Sequence, residues 1–179
     1  MMTTRIRMLS VALILGGMAL GCGGTDPDAE KQLRSACESI KVAALEKDYG
    51  RMYDLMDSGS RKSVGKQLRD FQAAAPGTPE HAVADTSLQQ LGLSVKRIQG
   101  LTPRQYVIEM FKGMDRAMPD MRRIQLEETR GREVTGIEIR GDRARVQTST
   151  PSGATEEFRW VRESDGWKCV ATSVGEGFE

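Results

Sequence analysis

The fold class is best predicted from the carboxy-terminal stretch at residues 141–170, which reads GDRARVQTSTPSGATEEFRWVRESDGWKCV. Apolar and polar residues alternate within it, first at Ala144 and Val146 and then at Phe158 and Trp160. Alternation with a period of two is typical of strands that bury one face. Short turns rich in Gly, Asp, Ser and Pro separate the segments, and such turns connect antiparallel strands. The stretch therefore predicts an antiparallel meander.

The same alternation extends upstream of this stretch. It recurs at Ile137 and Ile139 and, by the same criterion, at Ile124 and Leu126. We therefore expect the chain to change from helices to strands just after Met121.

Before residue 120 the periodicity is that of helices. An apolar stripe between residues 28 and 48 predicts the first helix, with Asp28 as its N-cap; the stripe consists of Leu33, Cys37, Ile40 and Ala44. A short helix is expected around Met52 to Met56. Another is expected after a chain break at residues 58–60, and it ends before the Pro-Gly-Thr-Pro sequence at residues 76–79.

A capping box marks one more helix start. Thr102 is the expected N-cap, Pro103 takes the first helical position and Gln105 completes the box. Residues 76–101 follow no clear pattern. Helices followed by a meander predict an α+β domain, with the N-terminal helices packed on one face of a curved antiparallel sheet.

Composition excludes two classes of function. The 179 residues contain 26 Lys and Arg against 25 Asp and Glu, a balance that does not suit a nucleic-acid binder. One histidine, His81, and the three cysteines Cys22, Cys37 and Cys169 cannot supply a typical zinc site. We therefore expect neither a nucleic-acid partner nor a metal or other cofactor.

The N-terminus has the pattern of an export signal. Arg5 and Arg7 precede an apolar run from Met8 to Leu20, which is too short to span a bilayer comfortably. The following Gly21-Cys22 completes a segment that resembles the lipobox of bacterial lipoproteins. The resemblance implies cleavage between these two residues, lipidation of Cys22 and attachment to a membrane. The alternative is an ordinary signal peptide, or an uncleaved anchor, with an incidental cysteine.

This reading divides the chain into a signal peptide at residues 1–21, a flexible tether at 22–28 and one domain at 29–179. The predicted location is the cell envelope. Gly23 rather than Asp follows the cysteine, and in this family that favours the periplasmic face of the outer membrane if the cell is Gram-negative.

The domain itself resembles the NTF2-like fold, also called SnoaL-like or cystatin-like. The resemblance rests on EKDYGRMYDL at residues 46–55, which is similar to that fold's first helix and turn, and on the closing hairpins at residues 141–146 and 158–170. It covers roughly residues 29–174. It implies a cone, in which a curved sheet wraps against helices and often leaves an apolar pocket at its open end.

Some enzymes of this fold use an Asp or His base inside the cone with a Tyr or Asp donor beside it, and an acid–phenol pair would be one such arrangement. Five residues are candidates for lining a pocket: Tyr49, Tyr53, Asp57, Tyr106 and Trp160. In a helix Tyr53 would lie beside both Tyr49 and Asp57. The alternative is that the tyrosine rings pack on the sheet and the carboxylates are solvated. His81 is expected on a surface loop, and no nucleophile with its base can be assigned.

Cys37 and Cys169 are the second candidate pair. Both would lie in an oxidising compartment, and a disulfide between them would join the first helix to the last strand. The alternative is two buried free thiols.

An arginine-rich run lies between the helices and the sheet. It consists of Arg116, Arg122, Arg123, Arg130 and Arg132. Glutamates interleave with it, so we interpret it as a solvated face of mixed charge.

Three functions follow from these observations. The first is a lipid-anchored envelope protein whose domain binds a protein partner or a small apolar ligand without catalysis. The second is a small isomerase or cyclase with a pocket lined by residues 49–57. The third is an accessory subunit that dimerises through its sheet. The first of these hypotheses, binding without catalysis, assigns no catalytic residue.

Overall fold

The computed structural model describes residues 26–171, which comprise seven helices followed by four strands. The helices are α1 Pro27–Leu45, α2 Tyr49–Asp54, α3 Ser58–Ala73, α4 Pro79–Gln89, α5 Val95–Ile98, α6 Pro103–Ala117 and α7 Pro119–Arg130. The strands are β1 Glu133–Arg140, β2 Arg143–Ser149, β3 Thr155–Glu163 and β4 Gly166–Val170. The α+β prediction is confirmed. Gly21, Cys22, the signal peptide and most of the tether lie outside the described residues.

The sheet is an open antiparallel meander in the order β1-β2-β3-β4. Ala144 pairs with Trp160 and Val146 with Phe158, so the alternating apolar residues of β2 and β3 share one face. This is the register that burial of one face selects. Beyond β4, Met56 forms an isolated parallel bridge with Cys169, which covers that edge.

Helix α1 supplies the main helical cover for this face. Its N-cap is Asp26 rather than the predicted Asp28, because the Asp26 carboxylate accepts a hydrogen bond from the Asp28 N–H and Pro27 suits the first turn. The predicted stripe is confirmed: Leu33, Cys37 and Ile40 belong to the apolar cluster on the sheet.

Two apolar clusters organise the molecule. The sheet cluster lies between α1 and the strands and contains the buried residues Leu33, Ala144, Val146, Trp160, Trp167 and Cys169. The helix cluster lies within α3 to α6 and contains Leu68, Ala84, Leu88, Leu93, Val95, Ile98 and Tyr106. The capping box at Thr102 and Gln105 is present and begins α6 as predicted.

The strand predicted at Ile124 and Leu126 is wrong, because these residues belong to α7. Pro119 occupies the first turn of this helix, with Asp120 beside it, a favourable start for a helix. Two apolar residues with one polar residue between them are too few to distinguish a strand from a helix. Helix α7 also packs against α1 and α6, which fixes its position in the domain.

Two other local expectations differ from the structure. The break expected at residues 58–60 is instead the first turn of α3, because Asp57 caps the N–H groups of Gly59 and Ser60. Residues 76–101, which had no clear pattern, form α4 and α5, capped by Thr78 and Ser94. Among the described residues, no helix has the length and apolar character needed to cross a bilayer.

Candidate ligand cavity

A cavity of about 1060 Å³ lies between α1, α7 and the sheet. Small-molecule sites usually enclose roughly 300–1000 Å³, so this one is at the large end of the range. At its mouth Ile124 lines the cavity and is 53% exposed, which is unusual for a large apolar side chain. The cavity is therefore accessible from solvent beside α7.

Its apolar lining comes from the two patterns that the sequence displayed. Helix α1 contributes the C-terminal part of its apolar stripe, and the sheet contributes apolar residues of all four strands. The main apolar lining residues are Cys37, Ile40, Ala44, Val134, Val146, Phe158, Trp160 and Cys169. The apolar stripe of α1 and the apolar residues of the sheet therefore line the same cavity without filling it.

Charged residues also line the cavity, at different depths. The cations are Arg34, Lys41, Arg122 and Arg132, and the acids are Glu38, Glu128, Glu133 and Glu156. The side chains of Arg122 and Arg132 are 12% and 24% exposed, whereas that of Glu156 is 45% exposed. Glu38 and Glu133 are also exposed. The guanidinium groups of Arg122 and Arg132 thus lie deeper than most of the carboxylates, whereas the side chain of Arg34 is 52% exposed.

Arg132 is held against the apolar wall. Its Nη2 lies 2.7 Å from Glu156 Oε2, and its guanidinium carbon lies 5.0 Å from the centre of the Phe158 ring. Lys41 Nζ donates to the Arg132 carbonyl oxygen at 2.9 Å. The Nε of Arg132 is buried without a hydrogen-bond partner among the described residues.

Arg122 reaches the cavity from α7 and is anchored behind it. Its Nε donates to Asp115 Oδ1 at 3.0 Å, and its guanidinium carbon lies 5.8 Å from the centre of the Tyr49 ring. Its Nη2 has no partner within residues 26–171. The indole Nε1 of Trp160 is buried and likewise unpartnered.

Asp115 connects three elements behind the cavity. The Tyr49 hydroxyl donates to its Oδ2 at 2.5 Å, and Lys47 Nζ lies 3.2 Å from the same oxygen. Burial alone would raise the pKa of Asp115. The hydrogen bonds from Tyr49 and Lys47 and the charge of Arg122 outweigh burial and hold this pKa below its ordinary value.

The two cysteines are unbonded in the structure and both line the cavity. Burial, and for Cys37 also the neighbouring Cys169 sulfur, raises the pKa of each thiol to about 12. Both are therefore neutral near pH 7. A disulfide between them stays a prediction.

The structure separates most of the five residues proposed as a pocket. Trp160 lines the cavity, whereas Tyr49, Tyr53 and Tyr106 do not; Tyr106 belongs to the helix cluster. Asp57 caps α3 and lines a second cavity of about 450 Å³ beside the strands, to which Trp160 also contributes. The predicted pairing of Tyr49 and Asp57 through Tyr53 is replaced by the Tyr49–Asp115 hydrogen bond.

His81 lies in the first turn of α4 rather than in a loop and is away from the cavity lining. Within the described chain, no group of three or more His, Cys, Asp and Glu residues is arranged to hold a metal ion.

Sequence reasoning missed the polar part of this site. The interpretation of Arg122 and Arg132 as members of a solvated face is wrong for both, because their side chains are largely covered. No pattern in the sequence distinguishes Lys41 or Asp115. The only signal in the sequence was the arginine run itself, and charge alternation does not show which members fold inward.

Comparison with known proteins returned no match to a protein-family model, to a curated protein or to a solved structure.

Proposed function

We propose that this protein is a lipid-anchored envelope protein whose NTF2-like domain binds a small apolar ligand without catalysis. The observation that carries the proposal is the cavity between α1, α7 and the sheet, with its largely apolar lining from α1 and the strands. Burial of an apolar ligand there is favourable by about 25 cal/mol for each Å² removed from water. A protein partner or a second copy of the chain is the other occupant to test.

The architecture supports the NTF2-like part of the proposal. Helix α1 covers one face of an open antiparallel sheet, and the cavity lies between that helix and the sheet. A pocket between helices and sheet is the feature that the cone architecture provides. The lipid anchor is supported by the sequence at residues 5–22. Mass spectrometry of the mature N-terminus tests it, and an unmodified Cys22 would refute it.

Binding is favoured over the isomerase or cyclase alternative by the position of the hydrogen-bonded phenol–carboxylate pair found among the described residues. Tyr49 and Asp115 lie behind the cavity wall, and Asp115 is already bonded to Lys47 and Arg122. A general base needs a free lone pair within reach of its substrate. This carboxylate instead positions two cations.

The binding proposal is tested with N-phenyl-1-naphthylamine, a neutral apolar probe that fluoresces in apolar sites. We expect saturable binding to the full chain. Ile124→Gln removes apolar surface at the mouth and is expected to weaken binding several-fold. Val83→Gln is the matched control, because Val83 is also an exposed apolar helical residue, 66% exposed, but lies away from the cavity.

Three results would count against the proposal. These are absence of saturable binding, equal loss of affinity in both variants, and a full-chain dimer that closes the cavity. Each points to a protein partner or to self-association instead.

A further inference from the structure

We infer that the cavity binds an apolar chain that ends in an oxyanion, with the oxyanion held by Arg132 and Lys41. This inference rests on the proposed binding function and adds the chemical class of the ligand. It depends on two observations: the unpartnered polar atoms of residues that line the cavity are hydrogen-bond donors, and the side chains of Arg122 and Arg132 are more buried than most of the carboxylates.

Every unpartnered buried side-chain atom among the described residues is a donor. There are four such atoms, and three belong to residues that line the cavity: Arg122 Nη2, Arg132 Nε and Trp160 Nε1. Buried polar groups without partners destabilise the folded state, so they are rare in folded proteins. A bound group that supplies acceptors would satisfy these donors.

The charges favour an anionic acceptor. Arg122 and Arg132 are paired with Asp115 and Glu156. Lys41 has no carboxylate within 4.0 Å among the described residues, and its ammonium donates only to the Arg132 carbonyl oxygen. Among the described residues Lys41 is thus a cation without an acidic partner, and it is bonded to the backbone of the residue whose Nε is unpartnered.

The acids of the cavity do not replace such a ligand. Glu128 is bonded to Ser152, whose hydroxyl donates to its Oε2 at 3.1 Å. Glu38 and Glu133 are exposed, so water screens them more than it screens the partly buried guanidinium groups. Arg132 is paired with Glu156, and its charge also helps to lower the pKa of Glu128, so the donors left for an oxyanion are the unpartnered Nε of Arg132 and the Lys41 ammonium.

The apolar wall fixes what is attached to the oxyanion. Phe158 lies directly under the Arg132 guanidinium, and Ile40, Val146 and Trp160 continue the wall. A ligand whose head lies at Arg132 would place its body along these side chains. An acyl or alkyl chain satisfies both requirements.

Competition with the naphthylamine probe tests this class. Dodecanoic acid, dodecyl phosphate and 1-dodecanol carry the same chain with a carboxylate, a phosphate and a neutral head. We expect at least one of the two anions to displace the probe from the full chain about tenfold more tightly than the alcohol, because hydrogen bonds to charged groups are the stronger ones. The tighter anion identifies the head group.

The double variant Lys41→Met and Arg132→Met is expected to abolish the preference for the anion while it still binds the probe. Arg123→Met is the control, because Arg123 lies on α7 with a side chain 64% exposed and does not line the cavity. Equal affinity for anion and alcohol in the wild type, or an unchanged preference in the double variant, overturns the inference and leaves apolar binding intact. Failure of the probe and all three ligands to bind overturns both proposals.

The two tryptophans give an independent readout. In a ¹H–¹⁵N spectrum the Trp160 indole resonance should shift on binding, because Trp160 lines the cavity. The Trp167 indole is also buried and unpartnered but lies outside the lining, so its resonance should move much less. A shift confined to Trp167 would place the ligand elsewhere and contradict the inference.

Discussion

Asp115 shows how one carboxylate can position the polar part of a cavity that it does not line. It bonds Tyr49 from α2, Lys47 from the preceding turn and Arg122 from α7. Tyr49 in turn stacks on Phe111, with ring centroids 5.0 Å apart. Lys47 adopts a left-handed φ of 58°, uncommon for a residue other than glycine, where its ammonium reaches Asp115.

We expect Asp115→Asn to lower the free energy of unfolding by about 2 kcal/mol at pH 7, because it leaves the largely buried Arg122 without its carboxylate. Asp54→Asn is the control, since the Arg104–Asp54 pair is exposed and screened by water, so its loss should have a much smaller effect. Urea denaturation measures both. Equal effects would show that Asp115 is not a structural anchor.

The same residue predicts a pH dependence. The pKa of Asp115 is lower in the folded state than its usual 3.8, so its stabilisation is complete above that pH and is lost as pH falls through the folded-state pKa. The stability difference between wild type and Asp115→Asn should therefore shrink below about pH 4. Urea titrations at pH 7 and pH 3 measure it, and a constant difference would contradict the assigned ionisation.

The cysteine thiols give the next test at this scale. Because burial raises the pKa of Cys37 and Cys169 to about 12, we expect both to resist iodoacetamide at pH 8 in the folded chain. Unfolding without a reductant should expose them, and peptide mass spectrometry locates the label. Rapid labelling of folded protein would contradict the burial. Failure to label either cysteine after unfolding would show that the two are paired.

At the scale of elements, α6 approaches the turn after α4 unusually closely. A Cβ added to Gly113 would lie 1.8 Å from the Leu91 carbonyl oxygen, a contact that neither backbone can tolerate without moving. The glycine therefore determines how closely α6 packs within the helix cluster.

We expect Gly113→Ala to lower the melting temperature and to cost about 2 kcal/mol through overpacking. Gly65→Ala, in α3, is the matched control. Its nearest neighbours would lie 3.5 Å away, so alanine should be neutral or stabilise the helix by up to about 1 kcal/mol. Thermal denaturation measured by circular dichroism compares them. A stable Gly113→Ala variant would contradict the close packing.

At the scale of the whole molecule, the helix cluster and the sheet cluster are separate but connected. Helix α2 packs between α1 and α6, and the Tyr49–Phe111 stack and the Tyr49–Asp115 hydrogen bond lie in that connection. Ser60 in α3 also bonds the backbone of Ala171, just after β4. These contacts should couple the two clusters energetically.

We therefore predict a single unfolding transition in urea. Both tryptophans lie in the sheet cluster, so their fluorescence reports that cluster, whereas circular dichroism at 222 nm reports mainly the helices. The two curves should coincide. Leu68→Ala in the helix cluster should cost about 3 kcal/mol and lower both midpoints equally. Separate midpoints would show that the clusters unfold independently.

Sequence alone determined the features that depend on neighbouring residues. The period-two alternation at Ala144 to Val146 specified the meander, the stripe from Leu33 to Ala44 specified the face of α1, and Thr102 specified the start of α6. Each of these signals lies within a few residues and reflects burial of one face or capping of one helix end. These local effects can be predicted from the spacing of residues in the sequence.

Contacts between residues far apart in the sequence depend on how the elements pack, and the sequence pattern did not predict them. Ile124 lies in a helix rather than a strand because Pro119 starts a helix that packs on α1 and α6. Tyr49 bonds Asp115 across 66 residues, and Arg132 folds over Phe158 instead of remaining solvated. The cavity lies where residues of α1, α7 and the sheet face one another without filling the space, which is a matter of packing between elements. Residue spacing contains no measure of that gap, because the same stripe and alternation would equally describe a filled core.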